Sequence, residues 1–162
     1  MSVPSDVNGF RSLKSIEFDS VSDGNIANLL SNCSTVELLS LKNYSVLTEL
    51  KISNRLRHLK CLSVHNCYGL RSIEICTTTL TTFEYKGHGI QFVYGETSSL
   101  TRAFMCIPDR GDFMLYALTG LSRVLPHLKT LFLDFCELHV VRVSNYYILV
   151  EFFMFLDLCS ED

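Results

Sequence analysis

The sequence predicts an α/β solenoid, in which short coils of chain stack into a parallel main sheet, with short strands on the opposite side and few helices. The first observation is a stretch at residues 59–85 that reads LKCLSVHNCYGLRSIEICTTTLTTFEY. Three times it places apolar residues at the first, fourth and sixth positions of a unit, which is the L-x-x-L-x-L core of a leucine-rich repeat. The second observation is that such units recur along the chain, starting at residues 13, 36, 47, 59, 70, 80 and 128.

The spacing of these units separates two rows of strands. Alternate units begin at 13, 36, 59 and 80, and intervals of 23, 23 and 21 residues match the period of a leucine-rich repeat. In each unit the last two apolar residues lie two apart, so they share one face of a strand, while the first lies in the turn before it. We therefore expect main-sheet strands near 13–18, 36–41, 59–64 and 80–85, and opposite strands near 47–52 and 70–75.

The middle coils are expected to consist of strand and turn only. Successive units there begin 10 to 12 residues apart, which leaves no room for a helix beside a strand. Asn66 and Gly69 are the residues that favour tight turns in this region. Because no coil can close its own core, neighbouring coils must stack and bury a continuous one.

Two segments have room for a helix. Residues 22–32 can be capped by Ser22 or Asp23, and they place Ile26, Leu29 and Leu30 on one face. Residues 112–125 carry apolar residues at helical spacing and end before Pro126, which cannot continue a helix.

The C-terminal part of the chain is less regular. Within residues 86–111 one weak unit is visible, formed by Leu100, Ala103 and Met105, and residues 110–112 (Arg-Gly-Asp) are expected to form a surface turn. We divide the chain into a repeat domain, residues 1–136, and an atypical apolar tail or cap, residues 137–162. The run at 146–156 is too short to span a membrane. It is expected to cover the open end of the solenoid with a strand or helix, or else to promote self-association.

Composition excludes several classes of protein. Hydrophobic residues make up 48% of the 162-residue chain, charged residues 19%, and the net charge is −3. A disordered chain would be less apolar, and a nucleic-acid-binding domain would carry basic clusters, which this sequence lacks. The seven cysteines include no C-x-x-C pair, so we expect thiols in a reducing compartment, cytoplasmic or nuclear. No motif predicts a metal site, a cofactor or catalysis.

Candidate binding residues are those that alternate with the buried pair on each main strand, because they point to the outer, concave face. Leu38, His65 and Phe132 are the strongest candidates, since apolar and aromatic side chains dominate interface energies. The predicted partner-binding set is Leu38, Ser40, Lys42, Cys61, Ser63, His65, Thr82, Glu84, Lys86 and Phe132. The alternative is that these side chains only solvate the sheet. His65 and Glu84 are expected on this face and Glu74 on the opposite one.

Four stretches resemble the repeats of plant F-box/leucine-rich-repeat proteins, particularly the FBD-associated group. They are LKCLSVHNCYGLRSIEI at 59–75, TLTTFEYKG at 79–87, NLLSNCSTVELLSLKN at 28–43 and LPHLKTLFL at 125–133. In that family an F-box module docks on the Skp-type adaptor of a ubiquitin ligase, and the repeats recruit the protein to be ubiquitinated.

The resemblance implies a non-enzymatic protein-interaction module with an unidentified protein partner. Neither an F-box segment ahead of the first repeat nor an FBD-like tail is recognisable, so adaptor docking is expected only for a longer form that carries an F-box. The alternative is a non-degradative scaffold or inhibitor module. No nucleic-acid partner is expected, and a membrane partner is disfavoured.

Overall fold

The computed structural model describes residues 12–20, 26, 30, 33–107, 121–134, 139–143, 146–150 and 153–157. In this part of the chain the regular elements are short. The strands are β1 Ser15–Asp19, β2 Leu38–Lys42, β3 Glu49–Ser53, β4 Cys61–His65, β5 Ser72–Cys76, β6 Thr82–Lys86, β7 Gln91–Tyr94, β8 Arg102–Cys106, β9 Thr130–Asp134, β10 His139–Val143, β11 Tyr146–Val150 and β12 Phe153–Asp157. Helix α1 is Leu121–Val124.

The strands form the two rows that the repeat spacing predicts. The main sheet has the order β1-β2-β4-β6-β8-β9-β12, and the second sheet has the order β3-β5-β7. All neighbours are parallel except β12, which pairs antiparallel with β9. The chain therefore alternates between the sheets once per coil over β2 to β8, which confirms the predicted leucine-rich-repeat solenoid.

The core lies between the two sheets and consists of stacked aliphatic and aromatic side chains. From the main sheet, Leu39, Leu62 and Phe83 stack in one row by register, and each is fully buried. Ile73 and Ile75 of the second sheet are also fully buried. In five units of the main sheet the first apolar residue lies in the turn before the strand and is buried as well: Val36, Leu59, Leu80, Leu100 and Leu128.

A ladder of tight turns follows the main strands. Ser20, Asn43 and Asn66 each come directly after a strand and have φ of 54°, 55° and 55°. Their backbone N–H groups donate to the last carbonyl of the next main strand, and for Asn66 the acceptor is Lys86 O at 2.6 Å. Asparagine tolerates this left-handed backbone better than most residues. The positive φ of Asn66 confirms the prediction that this residue forms a turn.

Cys67 occupies the buried position after that turn. Its thiol lies 3.8 Å from the carbonyl oxygen of Leu41, to which it can donate, and burial raises its pKa. Tyr44 occupies the equivalent place one coil earlier and is equally buried. The side chain at this position thus packs one coil against the next.

Two strands, β7 and β8, lie in the irregular region at 86–111, where spacing showed a single weak unit. β8 contains the weak unit of Ala103 and Met105, which are both buried. β7 was not predicted, and it extends the second sheet by one strand. Both replace leucine with other apolar residues.

The predicted helices are described only in part. Within 22–32 the described residues Ile26 and Leu30 are helical and buried. Of the helix predicted at 112–125, the described part contains α1, which ends two residues before Pro126. Residues 108–120, where the Arg-Gly-Asp turn was predicted, lie outside the described residues. Within the ranges that the structure describes, no helix has the length and apolarity needed to cross a bilayer.

The C-terminal strands follow a different pattern from the repeats. β10 and β11 pair antiparallel with each other, and β12 pairs with β9 at the end of the main sheet. The division of the chain after residue 136 stays a prediction.

Candidate protein-binding surface

The outward-pointing side chains of the main sheet form three rows, and we call this surface the outer face. One row runs Glu17, Ser40, Ser63, Glu84, Phe104 and Phe132. The row before it runs Ser15, Leu38, Cys61, Thr82, Arg102 and Thr130. The row after it runs Asp19, Lys42, His65, Lys86, Cys106 and Asp134. The strict register places residues from distant parts of the sequence side by side.

At the β1–β2 end of the outer face the charges are paired within the chain. Lys42 forms an ion pair with Glu17, which raises the pKa of Lys42. Asp19 accepts hydrogen bonds from Asn43 at 2.8 Å and Ser20 at 2.9 Å, and these hold the pKa of the Asp19 carboxyl below its usual value. A partner would have to displace existing contacts to use these groups.

At the β6–β9 end the outer face carries an aromatic pair. The rings of Phe104 and Phe132 lie 6.1 Å apart between centroids with a tilt of 39°, and Phe104 keeps 36% of its surface exposed. They form part of a shallow groove of about 240 Å³ across β4, β6, β8 and β9. Charged and polar side chains border the rings, among them His65, Glu84, Lys86 and Asp134.

His65 closes one side of this groove. Its Nε2 lies 3.1 Å from the Ser63 hydroxyl and 3.9 Å from a carboxylate oxygen of Glu84. Burial lowers the pKa of His65 below 6.5, and the positive charges of Lys42 and Lys86 lower it further, while Glu84 acts in the opposite direction. Because its pKa lies below 6.5, His65 is mainly neutral at pH 7.

All ten predicted binding residues lie on the outer face, but they differ in how much surface they offer. Leu38 is 39% exposed, whereas Ser40, Ser63 and Thr82 are only 6%, 8% and 7% exposed. Cys61 is half-buried, and burial raises the pKa of its thiol. The members of the set that are exposed or half-buried are Leu38, Lys42, Cys61, His65, Glu84, Lys86 and Phe132. A role in binding for any of them stays a prediction.

The sequence reasoning missed the contribution of β8. Arg102, Phe104 and Cys106 point to the outer face between β6 and β9, and Phe104 completes the aromatic pair with Phe132. The signal was the weak unit of Ala103 and Met105, since the residue between two buried strand positions must point outward.

The second sheet presents a separate, ordinary charged surface. Lys51 lies 3.5 Å from Glu74 and 4.0 Å from Glu49, all well exposed. Glu74 thus lies on the opposite side from His65 and Glu84, as the repeat spacing predicts.

Stacked strand-and-turn coils with an open sheet face and a leucine-based core define a leucine-rich-repeat solenoid. A family model described as "At1g61320/AtMIF1, LRR domain" matches residues 2–153. The chain therefore belongs to this family of plant leucine-rich-repeat domains. No curated protein and no solved structure matches it.

Proposed function

We propose that the chain is a non-enzymatic protein-interaction module whose partner binds the outer face of the main sheet. The observation that carries this proposal is the Phe104–Phe132 pair, which lies partly exposed in a groove bordered by charged side chains. Aromatic side chains inside a polar rim are typical of interface centres. Solenoids commonly bind partners over such an extended sheet face.

We further propose that the module recognises a protein for ubiquitination, as the repeats of F-box proteins do. The support is the resemblance of residues 28–43, 59–75, 79–87 and 125–133 to repeats of the FBD-associated group. Contact with a Skp-type adaptor is proposed only for a longer form with an F-box. The second candidate is a scaffold or inhibitor module, which would use the same surface without a ligase. Either role is proposed for the cytoplasm or nucleus, because Cys33 and Cys67 are buried thiols.

The outer face can be tested by comparing capture of partners by matched variants. The double variant F104S/F132S removes both rings, whereas V93S removes an exposed apolar side chain from the second sheet. We expect a plant-extract protein that binds the wild-type chain to be lost with F104S/F132S and retained with V93S. Retention by both variants, with thermal unfolding unchanged, would contradict a binding role for the outer face.

Adaptor binding and ubiquitination of a captured partner distinguish the two proposed functions. Purified Skp-type adaptor should not bind this chain directly, because no contact for it is assigned to the repeats. Direct binding that survives F104S/F132S would show an adaptor site outside the outer face and overturn this assignment. Ubiquitination of a captured partner by a ligase containing a longer F-box form would support recognition for degradation. Capture without ubiquitination would support the scaffold role.

A further inference from the structure

Two cations, Arg102 and Lys86, lie near Phe104 on the outer face. Arg102 lies two residues before Phe104 on β8, and Lys86 lies on β6 opposite Cys106, two residues after Phe104. Both side chains are exposed. Among the described residues, no carboxylate lies within 4.0 Å of either cation.

The acidic side chains of the groove are more covered than these cations. Glu84 is half-buried and lies beside His65, and Asp134 is half-buried at the end of β9. At the β1–β2 end, by contrast, Lys42 is already paired with Glu17. The charges most available to a partner are therefore positive, and they stand on both sides of an exposed aromatic ring.

We propose that the groove binds an acidic, extended segment of a partner protein with the pattern acid–x–apolar–x–acid. This inference rests on the proposed function, because it names the chemistry of a partner for the same surface. The apolar side chain packs on Phe104 and Phe132, and the two carboxylates pair with Arg102 and Lys86.

The spacing follows from strand geometry. Side chains two residues apart on an extended segment point to the same side, about 6.6 Å from each other. A segment lying along β8 would then place one side chain over Phe104 and one toward each cation, and long Arg and Lys side chains can take up the remaining offset. Charge complementarity of this kind sets specificity and speeds association.

Selection from a random displayed peptide library on the immobilised chain tests this inference. We expect enrichment of peptides with an apolar residue flanked at ±2 by Asp or Glu. A synthetic peptide of the enriched sequence should bind more weakly as salt rises, as measured by fluorescence anisotropy. It should lose at least about tenfold in affinity with R102E/K86E, since charge reversal turns attraction into repulsion.

Matched variants decide which part of the proposal holds. K51E reverses a lysine on the second sheet and should leave peptide affinity unchanged, and R102Q/K86Q replaces the charge-reversed pair if that pair does not fold. Enriched peptides that need Phe104 but carry Lys or Arg, or no charge, would overturn the acidic partner and leave the binding surface standing. Peptides indifferent to F104S/F132S, or the absence of any enrichment, would contradict both.

Discussion

Gly69 holds the turn between β4 and β5 against the coil before it. A Cβ added here would overlap the carbonyl oxygen of Ser45 and lie 3.2 Å from that of Leu47. Both obstacles are backbone atoms, which cannot rotate away as a side chain would. We predict that G69A destabilises the protein by about 1–3 kcal/mol, the usual cost of overpacking, as measured by urea unfolding.

Gly89 offers a matched control for this substitution. A Cβ at Gly89 meets no atom within 4 Å. G89A should therefore change the free energy of unfolding by less than about 0.5 kcal/mol. Equal effects of the two substitutions would mean that the close approach of Ser45 and Gly69 is not a feature of the folded protein.

His65 provides a residue-scale test of the groove's electrostatics. Burial is the main cause of its pKa lying below 6.5, Glu84 raises the pKa, and Lys42 and Lys86 lower it. An NMR titration of the imidazole protons should give a midpoint below 6.5 in the wild type. E84Q should lower that midpoint further, and K86Q should raise it; shifts in the reverse directions would contradict the arrangement.

The same group makes stability depend on pH. Because the folded pKa of His65 lies below its unfolded value of about 6.5, the unfolded chain binds the proton more readily. The contribution of neutral His65 to the free energy of unfolding is therefore fully present above pH 6.5, and it is lost as the pH falls toward the folded pKa. Substitution by glutamine, H65Q, should reduce the loss of stability over that window, measured by urea unfolding at each pH.

At the scale of elements, β7 is held to the core by aromatic contacts. The ring of Phe92 lies 5.1 Å from that of Tyr85 and 6.0 Å from that of Phe83, both in edge-to-face geometry. We predict that F92A destabilises the protein by about 2–3 kcal/mol, below the cost of a fully buried phenylalanine because Phe92 is half-exposed.

A neighbouring substitution on β7 isolates the packing effect. Val93 points away from the core and is 42% exposed. V93A should cost less than about 1 kcal/mol in the same urea titration. If V93A cost as much as F92A, the stability of β7 would come from its backbone pairing rather than from the aromatic cluster.

β7 and β8 also show where sequence reasoning succeeds and fails. The units that contain β2, β4 and β6 begin at regular intervals, at residues 36, 59 and 80, and the units of β3 and β5 fall between them, so spacing alone assigned both sheets there. In β8 the buried positions are Ala103 and Met105, and in β7 the half-buried Phe92 and Tyr94 pack against the core, so neither strand carries the leucines of a clear repeat unit. The predicted binding set therefore included Phe132 but not Phe104, because the weak unit of Ala103 and Met105 was not extended to the outward-pointing side chains of β8.

The sequence pattern also could not predict which side chains on the outer face are buried. Alternation and the register both place Ser40, Ser63 and Thr82 on this face, but all three are buried among neighbours from the adjacent strands, which alternation does not predict. Those neighbours come from other coils, and only the register brings them together.

At the scale of the whole molecule, the stability lost through a core substitution should depend on which coil carries it. Each coil contacts chiefly its neighbours, so a central coil supports two interfaces and an end coil one. Leu62 is fully buried in β4 between β2 and β6, whereas Ile16 is half-buried in β1 at the sheet edge. We predict that L62A costs about 2–5 kcal/mol and I16A about 1–2 kcal/mol.

Hydrogen exchange can distinguish a loss of stability that spreads to neighbouring coils from one that stays local. In L62A, amide protection should fall together in β2, β4 and β6, because removing one row of the core weakens the interfaces on both sides. In I16A, protection should fall in β1 while β4 and β6 keep that of the wild type. A loss confined to β4 in L62A, or an equal loss across the sheet in I16A, would show that the coils do not couple through nearest neighbours. Because the outer-face groove spans β4, β6, β8 and β9, the expected result for I16A would mean that the geometry of the groove does not depend on the coil at the β1 end.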